Sequence, residues 1–88
     1  MTATFKKTWR REIVSSEGFS VRLVARTALL YKDAAGSLRI EYEPLAGAGL
    51  TAQLFSESIP DAHERPRLVV IENIRRAFLF AGWALMVR

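Results

Sequence analysis

The chain has no cysteine, one histidine and three prolines in 88 residues. Without cysteine it has neither a disulfide nor a thiolate ligand for a metal. That composition fits a reducing compartment, and the expected location is the cytoplasm. A single histidine, with no carboxylates at ligand spacing, gives no basis for a metal site or cofactor. Long apolar runs are missing as well. The longest uncharged stretches are Pro44–Ser56 and Ala77–Val87, and both fall short of the ~18 residues a membrane-spanning helix needs. The early lysines are followed by no apolar segment, so no secretory signal is expected.

What is present reads as one globular domain over residues 1–88. Half the residues are hydrophobic and a quarter are charged, a balance that folds. A chain this short buries only about 60–65 % of its unfolded surface, so it is marginal alone, and self-association is a natural remedy. The net charge of +4 has a location. Lys6, Lys7, Arg10 and Arg11 lie in the first eleven residues without an acid among them, and from Glu12 onward nine basic residues balance nine acidic ones. Residues 1–8 can therefore be read as a flexible basic arm. The rest lacks the broad basic surface usual in nucleic-acid binders.

One stretch organises the remainder: RPRLVVIENIRRAFLFAGWALMVR, from Arg65 to Arg88. At 100° per residue Val70, Ile71, Ile74, Ala77, Phe78 and Ala81 share one face, the arc of a core-facing helix. Pro66 suits the first turn, and Gly82 suits the left-handed position just past the end. Glu72 can pair with Arg75 and Arg76 at helical spacing. Four apolar residues miss the core face. Leu68 and Leu79 lie on one flank and are expected under a curling sheet. Val69 and Phe80, with Asn73 and Arg76, lie on the other. They form either a covered edge of the core or an exposed strip suited to a protein partner or a second copy of the chain.

Upstream, alternation with period two predicts strands. Phe5, Trp9 and Ile13 share a side, with a first strand around Trp9–Ser15. Phe19, Val21 and Leu23 mark a second, and Thr27 marks a bend. Ala28–Lys32 and Leu38–Glu43 read as a hairpin around Asp33–Ser37. Leu50, Ala52 and Leu54 alternate next, Ser56–Arg65 is a loop, and Trp83, Leu85 and Val87 form a last strand whose neighbour is not evident. The expected fold is α+β in the order β-β-β-β-α-β, an antiparallel sheet of about five strands with one C-terminal helix on a face. Phe78, Ile71 and Ile74 should form the centre of the core.

The candidate chemistries are thin. Asp61 and His63 are two apart in a loop, a spacing that seldom holds triad geometry, and no serine sits on a nucleophile elbow. Gly47-Ala48-Gly49 has neither a third glycine nor a following helix, so it reads as a turn rather than a phosphate loop. Glu41 and Glu43 share a strand face, where a solvated sheet surface is the ordinary meaning of such a pair. No catalytic residue is assigned. The arm Lys6, Lys7, Trp9, Arg10 and Arg11 mixes cations with an aromatic and could contact phosphates and stack bases.

The pattern Arg67-x-x-x-Ile71-x-Asn73-Ile74-Arg75-Arg76-Ala77-Phe78-x-Phe80-x-Gly82, followed by a short strand, resembles small immunity proteins of bacterial polymorphic-toxin systems, the family known as immunity protein seventy-four. The hairpin LLYKDAAGSLRIEYE and the element order from about Thr27 are similar too. The resemblance implies a non-catalytic factor that neutralises a toxin domain, with no cofactor. Nuclease inhibitors usually present acidic surfaces to a basic active site, so a nuclease is the less natural target for this chain. The alternative is a small nucleic-acid-binding protein that uses the basic arm.

Overall fold

The computed structural model describes residues 4–8, 11–45 and 51–88. Seven strands form one sheet whose spatial order follows the sequence. They are β1 (Phe5–Lys7), β2 (Glu12–Ser15), β3 (Ser20–Ala25), β4 (Ala28–Asp33), β5 (Gly36–Leu45), β6 (Thr51–Leu54) and β7 (Ala84–Val87). The helix α1 (Arg67–Ala81) crosses between β6 and β7. The sheet curls into a half-barrel with α1 packed on it. The helix touches β1, β2 and β3 toward one edge and β7 at the other.

Local chemistry explains the turns. Between β2 and β3 the Ser15 hydroxyl accepts the Glu17 N–H at 3.0 Å, and Gly18 adopts φ 94°. Between β4 and β5 only Ala34 and Ala35 lie outside the ladder, which closes at Asp33 opposite Gly36. The Asp33 carboxylate accepts the Ala35 N–H at 2.9 Å, the side-chain turn that aspartate favours. This loop is tighter than the five residues expected from sequence. Arg26 and Thr27 make the turn from β3 to β4, so Phe19–Lys32 is two strands, and the bend falls at Thr27 as predicted.

The register sends Val21, Leu23, Leu29, Tyr31, Leu38 and Ile40 to one face, because Val21 pairs with Tyr31, Leu23 with Leu29, and Leu29 with Ile40. Ile13, Val21, Leu29, Ile40, Leu54, Ile74 and Phe78 are fully buried. Ile71 retains 8 % exposure. The expected centre of the core is thus in place, and Ile59 from the loop before the helix joins it with no exposure.

Hydrogen bonds cap both ends of the helix. Pro66 sits one residue before the first helical position, with extended ψ, rather than inside the first turn. Arg67 N–H donates to the Asp61 carboxylate at 2.9 Å, which satisfies one of the orphan donors of a helix start. At the other end Gly82 is left-handed at φ 77°. Its N–H donates to the Leu79 carbonyl and the Trp83 N–H to the Phe78 carbonyl, the paired bonds of a Schellman stop.

Further sequence expectations are corrected. The sheet has seven strands rather than about five, and β7 lies parallel to β6, so the sheet is mixed. The strand expected around Trp9–Ser15 is present as β2 over Glu12–Ser15, but it is the second arm of a hairpin in which Phe5 of β1 pairs with Ser15 and Lys7 with Ile13. The chain enters β2 through Arg11 at φ 57°, a left-handed conformation that an arginine does not advertise. Trp9 and Arg10, and the Gly47-Ala48-Gly49 turn with Leu50, lie outside the described residues. Ala81 is only partly buried, although it packs against the core. Finally, Leu68 and Leu79 are 78 % and 79 % exposed. The sheet climbs beside α1 on the opposite flank, where Phe5 of β1 stacks on Phe80 at 5.6 Å.

Candidate protein-binding surface on the helix

Outside its buried arc, α1 carries four exposed apolar side chains. Leu68, Val69, Leu79 and Phe80 are exposed by 78, 50, 79 and 49 %. At 1.5 Å per residue they form two clusters about 16 Å apart, one near each helix end. Glu72, Arg75 and Arg76 lie between them. Glu72 and Arg75 stand 3.7 Å apart, both well exposed, a contact of little energetic value.

The four residues expected to share an interface part company. Asn73 Nδ2 donates to the Tyr31 hydroxyl at 3.0 Å, and burial of that phenol pushes its pKa up. Arg76 forks onto Glu17 at 2.7 and 2.8 Å. Its guanidinium also lies 5.5 Å from the Phe5 ring centre and 6.0 Å from that of Phe19. Asn73 and Arg76 therefore fasten the helix to the sheet, whereas Val69 and the outer half of Phe80 remain open. Leu68 and Leu79, expected under the curling sheet, are the more accessible members of the surface. Their signal was present as apolar residues off the core arc, but periodicity cannot tell which flank a curling sheet will cover.

Beside the N-terminal cluster lies a recess of about 300 Å³ lined by Tyr31, Asp33, Arg65, Val69 and Asn73 among others. Tyr31 is hydrogen-bonded to Asn73 there, and Asp33 to Arg65. Arg65 donates to both Asp33 oxygens, at 3.1 and 2.6 Å. This guanidinium holds the Asp33 carboxyl below the ordinary carboxylate range. Glu17 is lowered in the same way, chiefly by its hydrogen bonds from Arg76.

The other sequence candidates are scattered. His63 is exposed in the loop before α1, and Asp61 is occupied with capping the helix. Glu41 and Glu43 are exposed on β5. Among the described residues no group of three or more His, Cys, Asp or Glu could hold a metal ion. In the basic arm, Lys6 is exposed opposite Val14. The Lys7 ammonium lies 5.3 Å from the centre of the Trp83 ring. Arg11 lines a separate depression with Arg26, Tyr42 and Pro44. Trp9 and Arg10 are outside the described residues. No helix among the described residues is long and apolar enough to cross a membrane. Comparison of the chain with family models, with curated proteins and with solved structures finds no match.

Proposed function

We propose that this chain is a non-catalytic protein-binding factor that docks its partner on the outer face of α1. The observation that carries the reading is the exposure of four large apolar side chains on one helix, each about half exposed or more. Buried against a partner they would supply the apolar centre of an interface, with Glu72 and Arg75 as its charged part. The structured polar groups support the same reading, since Asp33, Glu17, Tyr31 and Asp61 are each engaged in holding the fold. The resemblance to polymorphic-toxin immunity proteins names the partner class as a toxin domain. Nucleic-acid binding by the arm draws less support, because Phe5 and Lys7 are engaged with Phe80 and Trp83.

The test places a photo-reactive benzophenone side chain at Val69 or, separately, at Arg39, an exposed position on β5. Illumination in cells should give adducts from position 69, of a mass that includes a foreign protein, and none from position 39. Alanine at Lys6, Lys7 and Arg11 should leave those adducts unchanged. Adducts from position 39 with none from 69, or adducts to nucleic acid, would overturn the reading.

A further inference from the structure

The exposed helix face carries a second pattern, distinct from the strip of Val69 and Phe80. Leu68, Glu72, Arg75 and Leu79 follow the four-three-four spacing of a coiled-coil seam. They are also among the exposed residues of α1: the two leucines by 78 and 79 %, and the Glu72 and Arg75 side chains by 62 and 49 %. Read toward the C-terminus, the seam is Leu-Glu-Arg-Leu. Laid against an inverted copy of itself, it sets Leu68 against Leu79, Glu72 against Arg75, Arg75 against Glu72 and Leu79 against Leu68. Every apolar residue meets an apolar one and every charge meets its opposite. Laid parallel to itself, the same seam sets Glu72 against Glu72 and Arg75 against Arg75, which is repulsive at both central positions. A seam that is its own complement in one orientation is what a two-fold interface requires.

We propose that the occupant of this seam is a second copy of the chain, its α1 antiparallel to the first and centred between Asn73 and Ile74. The proposal rests on the reading of the outer face of α1 as a protein-docking surface and names one occupant of it. Each chain's Glu72–Arg75 contact of 3.7 Å is loose enough to exchange for an interchain pair. The pairing covers the two most exposed leucines of the helix in a chain too small to bury its apolar surface efficiently. A foreign partner that covers all four apolar residues displaces the second copy, so the two occupants compete for the outer face of α1.

Cysteine placement tests the orientation, and the chain contributes no cysteine of its own. The variants L68C and L79C are oxidised separately and as a mixture. The mixture should give a disulfide-linked dimer, and each variant alone should stay uncross-linked. Charge exchange tests the recognition. E72R and R75E alone should each raise the dissociation constant measured by sedimentation on the order of a hundredfold. The double variant E72R/R75E should restore it. All four positions are exposed, so circular dichroism should show every variant folded. Wild type that sediments as a monomer at millimolar concentration, or cross-linking of L68C to itself, would overturn the proposal. Such an outcome would not touch the docking reading, which stands or falls on foreign adducts from position 69.

Discussion

The Arg76 guanidinium grips Glu17 with two hydrogen bonds of 2.7 and 2.8 Å while lying 5.5 Å from the centre of the Phe5 ring. One side chain thus ties the middle of α1 to the turn between β2 and β3 and to the edge strand β1. The geometry needs a planar cation with a fork of donors, which lysine lacks. R76K should therefore lower the urea midpoint nearly as far as R76A. E17Q should lower it in the wild type and have little further effect in the R76A background. A full effect of E17Q in that background would show that the pair is uncoupled.

The lowered carboxyl of Asp33 makes a pH prediction. Its main cause is the hydrogen bond from Arg65, which favours the ionised form in the folded state. A folded pKa below the unfolded one means the unfolded chain binds the proton more readily. The contribution to stability is therefore complete above the unfolded carboxylate pKa and is lost as pH falls through the folded value. Glu17 adds to this with the same sign. Thermal melts should show stability falling below about pH 4, the ordinary carboxylate range. The slope should be shallower in D33N and shallower still in D33N/E17Q. An unchanged acid slope in the double variant would remove these pairs as its cause.

Much of the helix was legible because it is local. The core arc from Val70 to Phe78 and the stop at Gly82 need only helical period and glycine's tolerance of positive φ, and the β4–β5 hairpin needs only alternation around Asp33 and Gly36. The hairpin of β1 and β2 was hidden because the positive-φ residue that leads into β2 is Arg11 rather than glycine. The parallel neighbour of β7 was hidden because the pairing of Thr51 with Ala84 spans the helix in sequence. At the candidate surface, the sequence put Val69 and Phe80 on one flank of the helix and left open whether that flank is covered; they are 50 and 49 % exposed. It could not show that Asn73 reaches Tyr31 or that Arg76 reaches Glu17, since those partners lie 42 and 59 residues away. The exposure of Leu68 and Leu79 depends on which side the sheet curls, which no local pattern encodes.

Gly82 offers a test of backbone strain separated from packing. Its φ is 77°, and a Cβ built there meets nothing within 4 Å. An L-alanine would suffer only the left-handed backbone penalty, about 1–2 kcal/mol. G82A should lower stability by about that amount. A D-alanine introduced by chemical synthesis prefers positive φ and should raise it slightly by restricting the unfolded chain. Equal destabilisation by both enantiomers would point to a steric clash instead.

Three positions within three residues of each other on α1 should respond very differently to truncation. Phe78 is fully buried, with the Trp83 ring edge-on at 5.4 Å. Removing such a side chain costs about 3–5 kcal/mol through lost transfer energy and the cavity left behind. Phe80 is half exposed and stacked on Phe5, an aromatic contact worth about 0.5–1.5 kcal/mol beyond its buried area. Leu79 is 79 % exposed, and surface changes of this kind fall within about 0.5 kcal/mol. Under dilute conditions F78A should therefore unfold most easily, F80A should be intermediate, and L79A should match wild type. At high concentration L79A should lose stability relative to wild type, because association that favours the folded state makes its stability concentration-dependent. Denaturant titrations at two protein concentrations check both parts. A large loss in L79A at low concentration would place Leu79 in the core, and an absence of concentration dependence in wild type would count against self-association through the helix.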